Sequence, residues 1–206
     1  MKGAIFDLDG TLLDSSSVWE DIDKKFLSER GLVMPGGYIE ALSSMSFIEA
    51  ARYTIRLFSL SDAPEELVSL WKKMAEDAYR HDIKLKQGAE EYLKALHSNG
   101  VLIAAATDLA YDTASSSLEN NGVLGFFRRI ATTSEVGKDK RFPDVYLSAS
   151  SALDLNPDEC EVYEDILTGI RTARKAGFHT VAVYDDASSM DWEKMKAEAD
   201  RSIVSF

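Results

Sequence analysis

Apolar positions along the chain follow two different patterns. From about Gly88 onward, short apolar runs typical of buried strands alternate with helical patterns, in which apolar residues recur every three or four positions. The predicted strands are Val101–Ala106, a short strand near Ile130–Ala131, Glu161–Tyr163 and Thr180–Tyr184. This alternation predicts a parallel sheet with helices on both faces.

Residues 15–86 have helical periodicity only. Three helices are marked by apolar residues: Val18, Ile22 and Phe26; Ala50, Tyr53, Ile55 and Leu57; and Leu67, Leu70, Trp71, Met74 and Ala78. Because Ala4–Phe6 is already a strand pattern, these helices interrupt the alternation after its first strand. We therefore predict an α/β fold in which a Rossmann-like doubly wound parallel sheet core (residues 1–14 and 87–206) carries an inserted α-helical cap subdomain (residues 15–86).

Two carboxylates follow the first strand. Asp7 and Asp9 come directly after Phe6, and Gly10 allows the backbone to turn away sharply. An ordinary turn or helix cap would explain either aspartate alone, but desolvating both is costly without a cation. The inserted helices leave the sheet at this point, which is the edge where open parallel sheets bind ligands.

Polar residues also end the later predicted strands. Thr107 follows the second strand, Lys140 precedes the helix that begins near Pro143, and Glu164 and Asp165 follow the strand Glu161–Tyr163. Taken singly, each has a simpler explanation as a helix cap, a solvated lysine or a favourable charge near a helix start. Parallel topology brings all of these positions to one edge, so we expect them to form a site.

The acidic residues of this site need a positive charge. Asp7, Asp9, Glu164 and Asp165 are four carboxylates, and at ~4 Å each like pair costs roughly 4 kcal/mol at an effective dielectric constant near 20. Oxygen ligands without histidine or cysteine favour Mg²⁺ over Zn²⁺. With Lys140, a threonine hydroxyl and backbone N–H groups, a magnesium ion would complete a phosphate-binding set.

The ordered set resembles a known family. Asp7-Leu8-Asp9-Gly10-Thr11-Leu12, Thr107, Lys140 and Glu164-Asp165 are similar to the four motifs of the haloacid dehalogenase-like hydrolase superfamily. The resemblance is to its helical-cap branch, with phosphoglycolate phosphatase and β-phosphoglucomutase-like phosphatases. It covers the core, whereas over the cap it rests on helical character and length alone.

The resemblance implies a Mg²⁺-dependent phosphatase that forms an aspartyl-phosphate. Asp7 would be the nucleophile, Asp9 the acid and base, and Thr11 would orient Asp9. Thr107, Asp108 and Lys140 would hold the phosphate, with Lys140 also offsetting the charge of Asp7. Asp7, the Asp9 backbone carbonyl, Asp165 and Glu164 would hold the metal. The substrate would be a small-molecule phosphate ester, which the sequence does not identify.

The chain departs from the family pattern at two positions. Arg141 stands where a proline often follows the motif lysine, and Lys138 is a second candidate for that lysine. Ile166 stands where many relatives have a serine after the Glu-Asp pair.

Two other functions are also considered. A β-phosphoglucomutase-like mutase is disfavoured, because Trp19, Phe47 and Ala75 occupy the positions of its cap histidine, arginine and lysine. A phospho-accepting receiver module is disfavoured by size and motif order. Arg52, Arg56 and Lys72 are the cap residues that could contact substrate, although each is more simply a solvated surface residue.

Charge and cysteine content narrow the possible partners. The 206 residues include 23 basic and 35 acidic ones, for a net charge of −12, so neither nucleic acid nor an anionic membrane is an expected partner. Cys160 is the single cysteine, which excludes an internal disulfide. The N-terminus begins directly with a strand pattern, so no signal peptide is expected. A cytoplasmic monomer or weak homodimer is the expectation.

Overall fold

A computed structural model of the protein describes residues 1–42 and 45–206. It contains the strands β1 Gly3–Phe6, β2 Leu102–Thr107, β3 Phe127–Thr132, β4 Cys160–Glu164, β5 His179–Val183 and β6 Arg201–Ile203. The helices are α1 Val18–Glu29, α2 Tyr38–Leu42, α3 Phe47–Phe58, α4 Pro64–His81, α5 Ala89–Ser98, α6 Tyr111–Asn120, α7 Thr133–Val136, α8 Asp144–Ala152, α9 Leu167–Lys175 and α10 Trp192–Glu198. Short 3₁₀ segments cover Leu124–Phe126, Pro157–Glu159 and Asp186–Asp191.

All six strands form one parallel sheet in the order β3-β2-β1-β4-β5-β6. The strands β2 and β3 lie on one side of β1, and β4, β5 and β6 follow one another on its other side. The predicted α/β doubly wound fold is therefore confirmed. The strand order reverses between β1 and its neighbour β4, and ligands of such sheets bind at that switch point, outside the carboxyl ends of the strands.

The centre of the sheet is fully buried. Gly3–Phe6 lies between β2 and β4, and every residue of this strand is buried on both faces. On one face Ile5 packs in a core cluster with Val162 and the α8 residue Tyr146. On the other face Phe6 stacks on Tyr163 with ring centroids 4.3 Å apart. A continuous apolar strand between two helical layers explains why the apolar residues of β1 do not alternate with polar ones.

The described residues form two compact units, Met1–Ser16 with Tyr79–Phe206, and Ser17–Ala78. The first unit holds the sheet. The second is helical, with a core that includes Phe26 and Trp71, whose rings lie 5.8 Å apart. Ser46 precedes α3 as its N-cap and forms a capping box with Glu49, in which the Ser46 N–H donates to the Glu49 carboxylate at 2.9 Å.

Several element predictions need correction. Leu57, expected on the apolar face of its helix, is 44% exposed, and the buried residues of α3 are Ala50, Ala51 and Thr54. The strand near Ile130–Ala131 extends over six residues. The predictions omitted α2, α7, α10 and β6, because these elements are short and carry mixed polar and apolar residues.

Candidate active site

The site begins where β1 ends. Phe6 is in register with Ala105 of β2 and Tyr163 of β4, and the Asp7 N–H donates to the Tyr163 carbonyl at 3.0 Å. Asp7 is therefore placed between the carboxyl ends of the two neighbouring strands. Asp7 is 2% exposed, so its carboxylate lies in the interior of this edge.

Lys140 joins two carboxylates of this edge. Its ammonium group donates a very short hydrogen bond to Asp7 Oδ1 and lies 2.6 Å from Glu164 Oε1. The competing candidate, Lys138, instead pairs with Asp144 at 2.8 Å on the surface. Burial by itself would lower the pKa of Lys140, but the charges of Asp7 and Glu164 outweigh it and raise that pKa. The lysine therefore stays cationic between its two partners.

Three carboxylates converge around this lysine. One oxygen from each of Asp7, Glu164 and Asp165 lies within 4.8 Å of the others, and all three residues are buried. Burial raises the pKa of Asp7, and Lys140 only partly opposes it. Burial and the neighbouring Glu164 raise the pKa of Asp165 to about 7. Within the described residues, therefore, the acidic groups are not fully compensated.

This cluster fits a divalent cation. Three carboxylates and one lysine leave a formal charge of −3 + 1 = −2, which one divalent ion would neutralise. Glu164 Oε2 is buried and has no hydrogen-bond partner among the described residues, although its Oε1 accepts from Lys140 and from Tyr146 at 2.7 Å. A buried carboxylate oxygen is rarely left unpaired, so it is available to a ligand. The donor set is all oxygen, which suits a hard ion.

Thr11 was predicted to orient Asp9, but its hydroxyl has a different partner. It donates to Asp165 Oδ1 at 2.9 Å, so Thr11 orients a residue of the acidic cluster and not Asp9. Thr11 reaches Asp165 because Gly10 turns the chain with a φ of +77°, a value that favours glycine. A β-carbon at Gly10 would also lie 2.5 Å from Asp165 Oδ2.

Asp9 is held by residues that the sequence did not single out. Its Oδ1 accepts a 2.5 Å hydrogen bond from the Tyr79 hydroxyl and a very short one from the Ser15 hydroxyl. Ser15 is in turn fixed by the Gly10 N–H, which donates to it at 3.0 Å. Tyr79 is buried, with 5% of its surface exposed. No local sequence signal connects a helical tyrosine with an aspartate 70 positions earlier.

The predicted phosphate-binding residues lie at the end of β2. Thr107 is fully buried, and its hydroxyl accepts from the Leu109 N–H at 3.1 Å. Asp108, the next residue, is exposed. Arg52, Arg56 and Lys72, the predicted cap contacts, are all exposed on the helical unit.

The fold is that of an α/β enzyme, and the acidic cluster is its candidate active site. A family model described as haloacid dehalogenase-like hydrolase matches residues 4–183, and the chain belongs to this family. Members of the family generally use a divalent metal.

Relatives agree with this assignment. The chain is 28% identical to "Putative phosphatase YhcW" of Bacillus subtilis (strain 168), across 89% of this chain and 83% of that protein. It is 30% identical to hexitol phosphatase A of Escherichia coli (strain K12), across 88% and 82%. A Thermotoga maritima structure described as a "putative beta-phosphoglucomutase" superposes with a TM-score of 0.83 at 20% identity, covering 98% and 94%, which establishes the shared fold. The chain is a hydrolase of the phosphatase class.

A helical glycine makes room for the buried glutamate. A β-carbon at Gly169 of α9 would lie 2.6 Å from Glu164 Cδ, closer than real contacts allow. We expect Gly169→Ala to displace this carboxylate and lower kcat/KM for a phosphate ester about 10- to 100-fold, as for residues that support metal ligands. Steady-state hydrolysis of p-nitrophenyl phosphate measures the effect. Gly125→Ala is the matched control, because nothing lies within 4 Å of a β-carbon there. An equal loss in both variants would contradict this account.

Proposed function

We propose that the protein hydrolyses a small organic phosphate monoester through an aspartyl-phosphate on Asp7, with Mg²⁺ as its cofactor. The observation that supports this proposal best is the buried cluster of Asp7, Glu164, Asp165 and Lys140 at the switch point of the sheet. A buried carboxylate in contact with a fixed ammonium group, beside other potential metal ligands, is arranged for phosphoryl transfer.

In the first step an oxygen of the Asp7 carboxylate forms a bond to phosphorus, and the bond between phosphorus and the ester oxygen breaks. Asp9 gives its proton to that departing oxygen, so an alcohol leaves. In the second step Asp9 takes a proton from water, whose oxygen attacks phosphorus. The bond to Asp7 then breaks, which releases inorganic phosphate and restores the carboxylate.

Other residues hold the reacting groups. Lys140 offsets negative charge on Asp7 and on the transferring phosphoryl group. Thr107 and Asp108, at the carboxyl end of β2, complete the proposed phosphate-binding set. Ser15 and Tyr79 fix the position of Asp9, because both hydroxyls donate to the same carboxylate oxygen. These residues position the phosphate and the catalytic carboxylates, and only Asp7 forms a covalent bond to phosphorus.

The metal would be held by Asp7, Glu164, Asp165 and the Asp9 backbone carbonyl. When bound, Mg²⁺ neutralises charge on the phosphate oxygens and on the acidic cluster. Thr11 serves this set indirectly, through its hydrogen bond to Asp165.

The division into a core (residues 1–14 and 87–206) and a cap (residues 15–86) is retained within the proposal. A cytoplasmic monomer or weak homodimer also remains a prediction. None of the described helices is long and apolar enough to cross a membrane. A receiver module is abandoned, since the chain belongs to a hydrolase family.

A panel of phosphate monoesters tests this function. We expect phosphate release from p-nitrophenyl phosphate and from at least one natural monoester in the presence of Mg²⁺, measured by a colorimetric phosphate assay. The panel contains sugar phosphates, phosphoglycolate and nucleoside monophosphates. Conversion of a sugar phosphate to its isomer without phosphate release would instead establish a mutase.

A further inference from the structure

Lys86 and Asp185 form a buried ion pair just beyond the carboxyl end of β5. Lys86 Nζ lies 2.9 Å from Asp185 Oδ2, and the two side chains are 13% and 3% exposed. The same ammonium group donates to the Tyr184 carbonyl at 2.7 Å. The other oxygen of Asp185 accepts from the Ala187 N–H at 2.9 Å. Among the described residues, only the ion pairs of Lys140 are more deeply buried.

Stability alone does not explain why this pair is buried. Both charges lose hydration on burial, and their attraction often does no more than offset that loss. Replacing a buried pair by uncharged side chains is therefore often neutral or stabilising, whereas removing one partner alone is costly. The proposed reaction uses neither Lys86 nor Asp185. We therefore asked which part of the molecule the pair holds in place.

The main chain of Lys86 holds the segment that follows the Gly10 turn. An antiparallel bridge joins residues 12–14 to residues 84–86, and both segments belong to the unit that holds the sheet. Within this pairing, the Lys86 N–H donates to the Leu12 carbonyl at 2.8 Å. The Lys86 side chain reaches Asp185 at the same time, so it attaches the paired segments to the end of β5.

The anchored segment directly follows two residues that contact Asp165. The Thr11 hydroxyl donates to Asp165 Oδ1 at 2.9 Å. At Gly10, a β-carbon would lie 2.5 Å from Asp165 Oδ2 and 3.4 Å from Asp185 Cγ. The Gly10 turn therefore lies against two carboxylates. Asp165 is a candidate metal ligand, and Asp185 is the partner of Lys86.

We propose that Lys86 and Asp185 are positioning residues of the metal site. Their ion pair fixes the Gly10 turn against Asp165, which keeps the Asp165 carboxylate within reach of the other two carboxylates of the acidic cluster. Residues that hold metal ligands in place commonly change metal affinity 10- to 100-fold when they are replaced. This inference rests on the proposed magnesium site, and its test measures metal binding without turnover.

Positioning and simple electrostatics predict different effects on metal binding. Asp185 brings a negative charge near the acidic cluster, and Lys86 brings a positive one. If these charges acted only through space, removing the charge of Lys86 would strengthen Mg²⁺ binding, and removing that of Asp185 would weaken it. If the pair positions the Gly10 turn, either substitution breaks the pair and weakens binding. The directions of the two effects therefore distinguish the two explanations.

The test measures the Kd of Mg²⁺ for the metal-free protein, from the dependence of Tm on the concentration of Mg²⁺ alone. We expect Lys86→Met and Asp185→Asn each to raise this Kd at least about 10-fold. Lys84→Met and Asp186→Asn are the matched controls, because they make the same chemical changes at exposed residues nearby. Both controls should keep the Kd within about 2-fold of the original value.

Three results would overturn the proposal. The first is an unchanged Kd in Lys86→Met or in Asp185→Asn. The second is a lower Kd in Lys86→Met, which would mean that the pair acts through charge alone. The third is that the original protein gains no stability from Mg²⁺. That last result would also contradict the magnesium site itself, whereas the first two would leave the magnesium site and the phosphatase function standing.

The double variant Lys86→Met/Asp185→Asn separates positioning from stability. Because both substitutions break the same pair, its Kd should lie within about 3-fold of the weaker single variant, and well below the product of the two losses. Its Tm without Mg²⁺ should exceed that of either single variant, since no unpaired buried charge remains. Recovered stability with Mg²⁺ binding still weakened would support the positioning role. Recovery of both together would show that the pair serves the fold alone.

Discussion

Asp7→Asn is expected to lower kcat for p-nitrophenyl phosphate by about 10⁴-fold or more, because a neutral amide cannot form the proposed covalent bond to phosphorus. The fold should persist. Lys140 keeps its ion pair with Glu164 at 2.6 Å, and the substitution removes one of three mutually repelling carboxylates. Stopped assays of p-nitrophenol release measure the activity, and circular dichroism with thermal unfolding checks the structure.

The matched control for this experiment is Asp14→Asn. Asp14 is exposed and lies outside the acidic cluster, so the same chemical change there should leave kcat within about 2-fold of the original value. If the Asp7→Asn variant kept its activity, Asp7 could not be the nucleophile. A collapse of both structure and activity would mean that Asp7 mainly supports the fold.

Magnesium is expected to stabilise the protein as well as activate it. EDTA should abolish turnover, and Mg²⁺ should restore it. At a free Mg²⁺ concentration 100 times its Kd, binding contributes about 2.7 kcal/mol of stability, which raises Tm by roughly 5–10 °C for a chain of this size. The gain has a clear source: the ion relieves repulsion among Asp7, Glu164 and Asp165. Differential scanning fluorimetry with and without Mg²⁺ measures it independently of activity.

Asp165→Asn distinguishes this site from weak surface binding. The variant should lose most of the Mg²⁺-dependent rise in Tm, whereas Asp186→Asn, which changes an exposed acid elsewhere, should keep it. Restoration of activity by Zn²⁺ alone would contradict the preference for a hard ion. An unchanged Tm in the presence of Mg²⁺ would show that the three carboxylates do not share a metal.

Most of the core and the acidic residues could be predicted from sequence, because the evidence for them is local. The end of β1 is marked by an apolar run followed by carboxylates, and this pattern can be recognised without reference to the rest of the chain. Parallel topology then places Thr107 and Glu164 at the same edge as Asp7, since their strands flank β1. The strand β6, at the edge of the sheet, was not predicted because it gives too little local evidence. Only three residues form β6, and they have no periodicity of their own.

The choice between Lys138 and Lys140 shows where local evidence ends. Both lie in the same loop, and either spacing is compatible with a lysine near the following helix. The conformation of that loop directs Lys140 inward to Asp7, 133 positions earlier, and leaves Lys138 with Asp144 on the surface. Thr11 is a second case, since its partner Asp165 is 154 positions away.

The sequence by itself determined which segments form strands and helices, and it predicted an acidic cluster that favours a hard cation, because periodicity and charge are properties of residue types. Only the tertiary structure decided which groups pair: Tyr79 with Asp9, Thr11 with Asp165, and Lys140 with Asp7. A hydrogen bond requires its donor and acceptor to lie within a few tenths of an ångström of an ideal separation. For residues this far apart in the chain, that separation is set by the packing of whole elements.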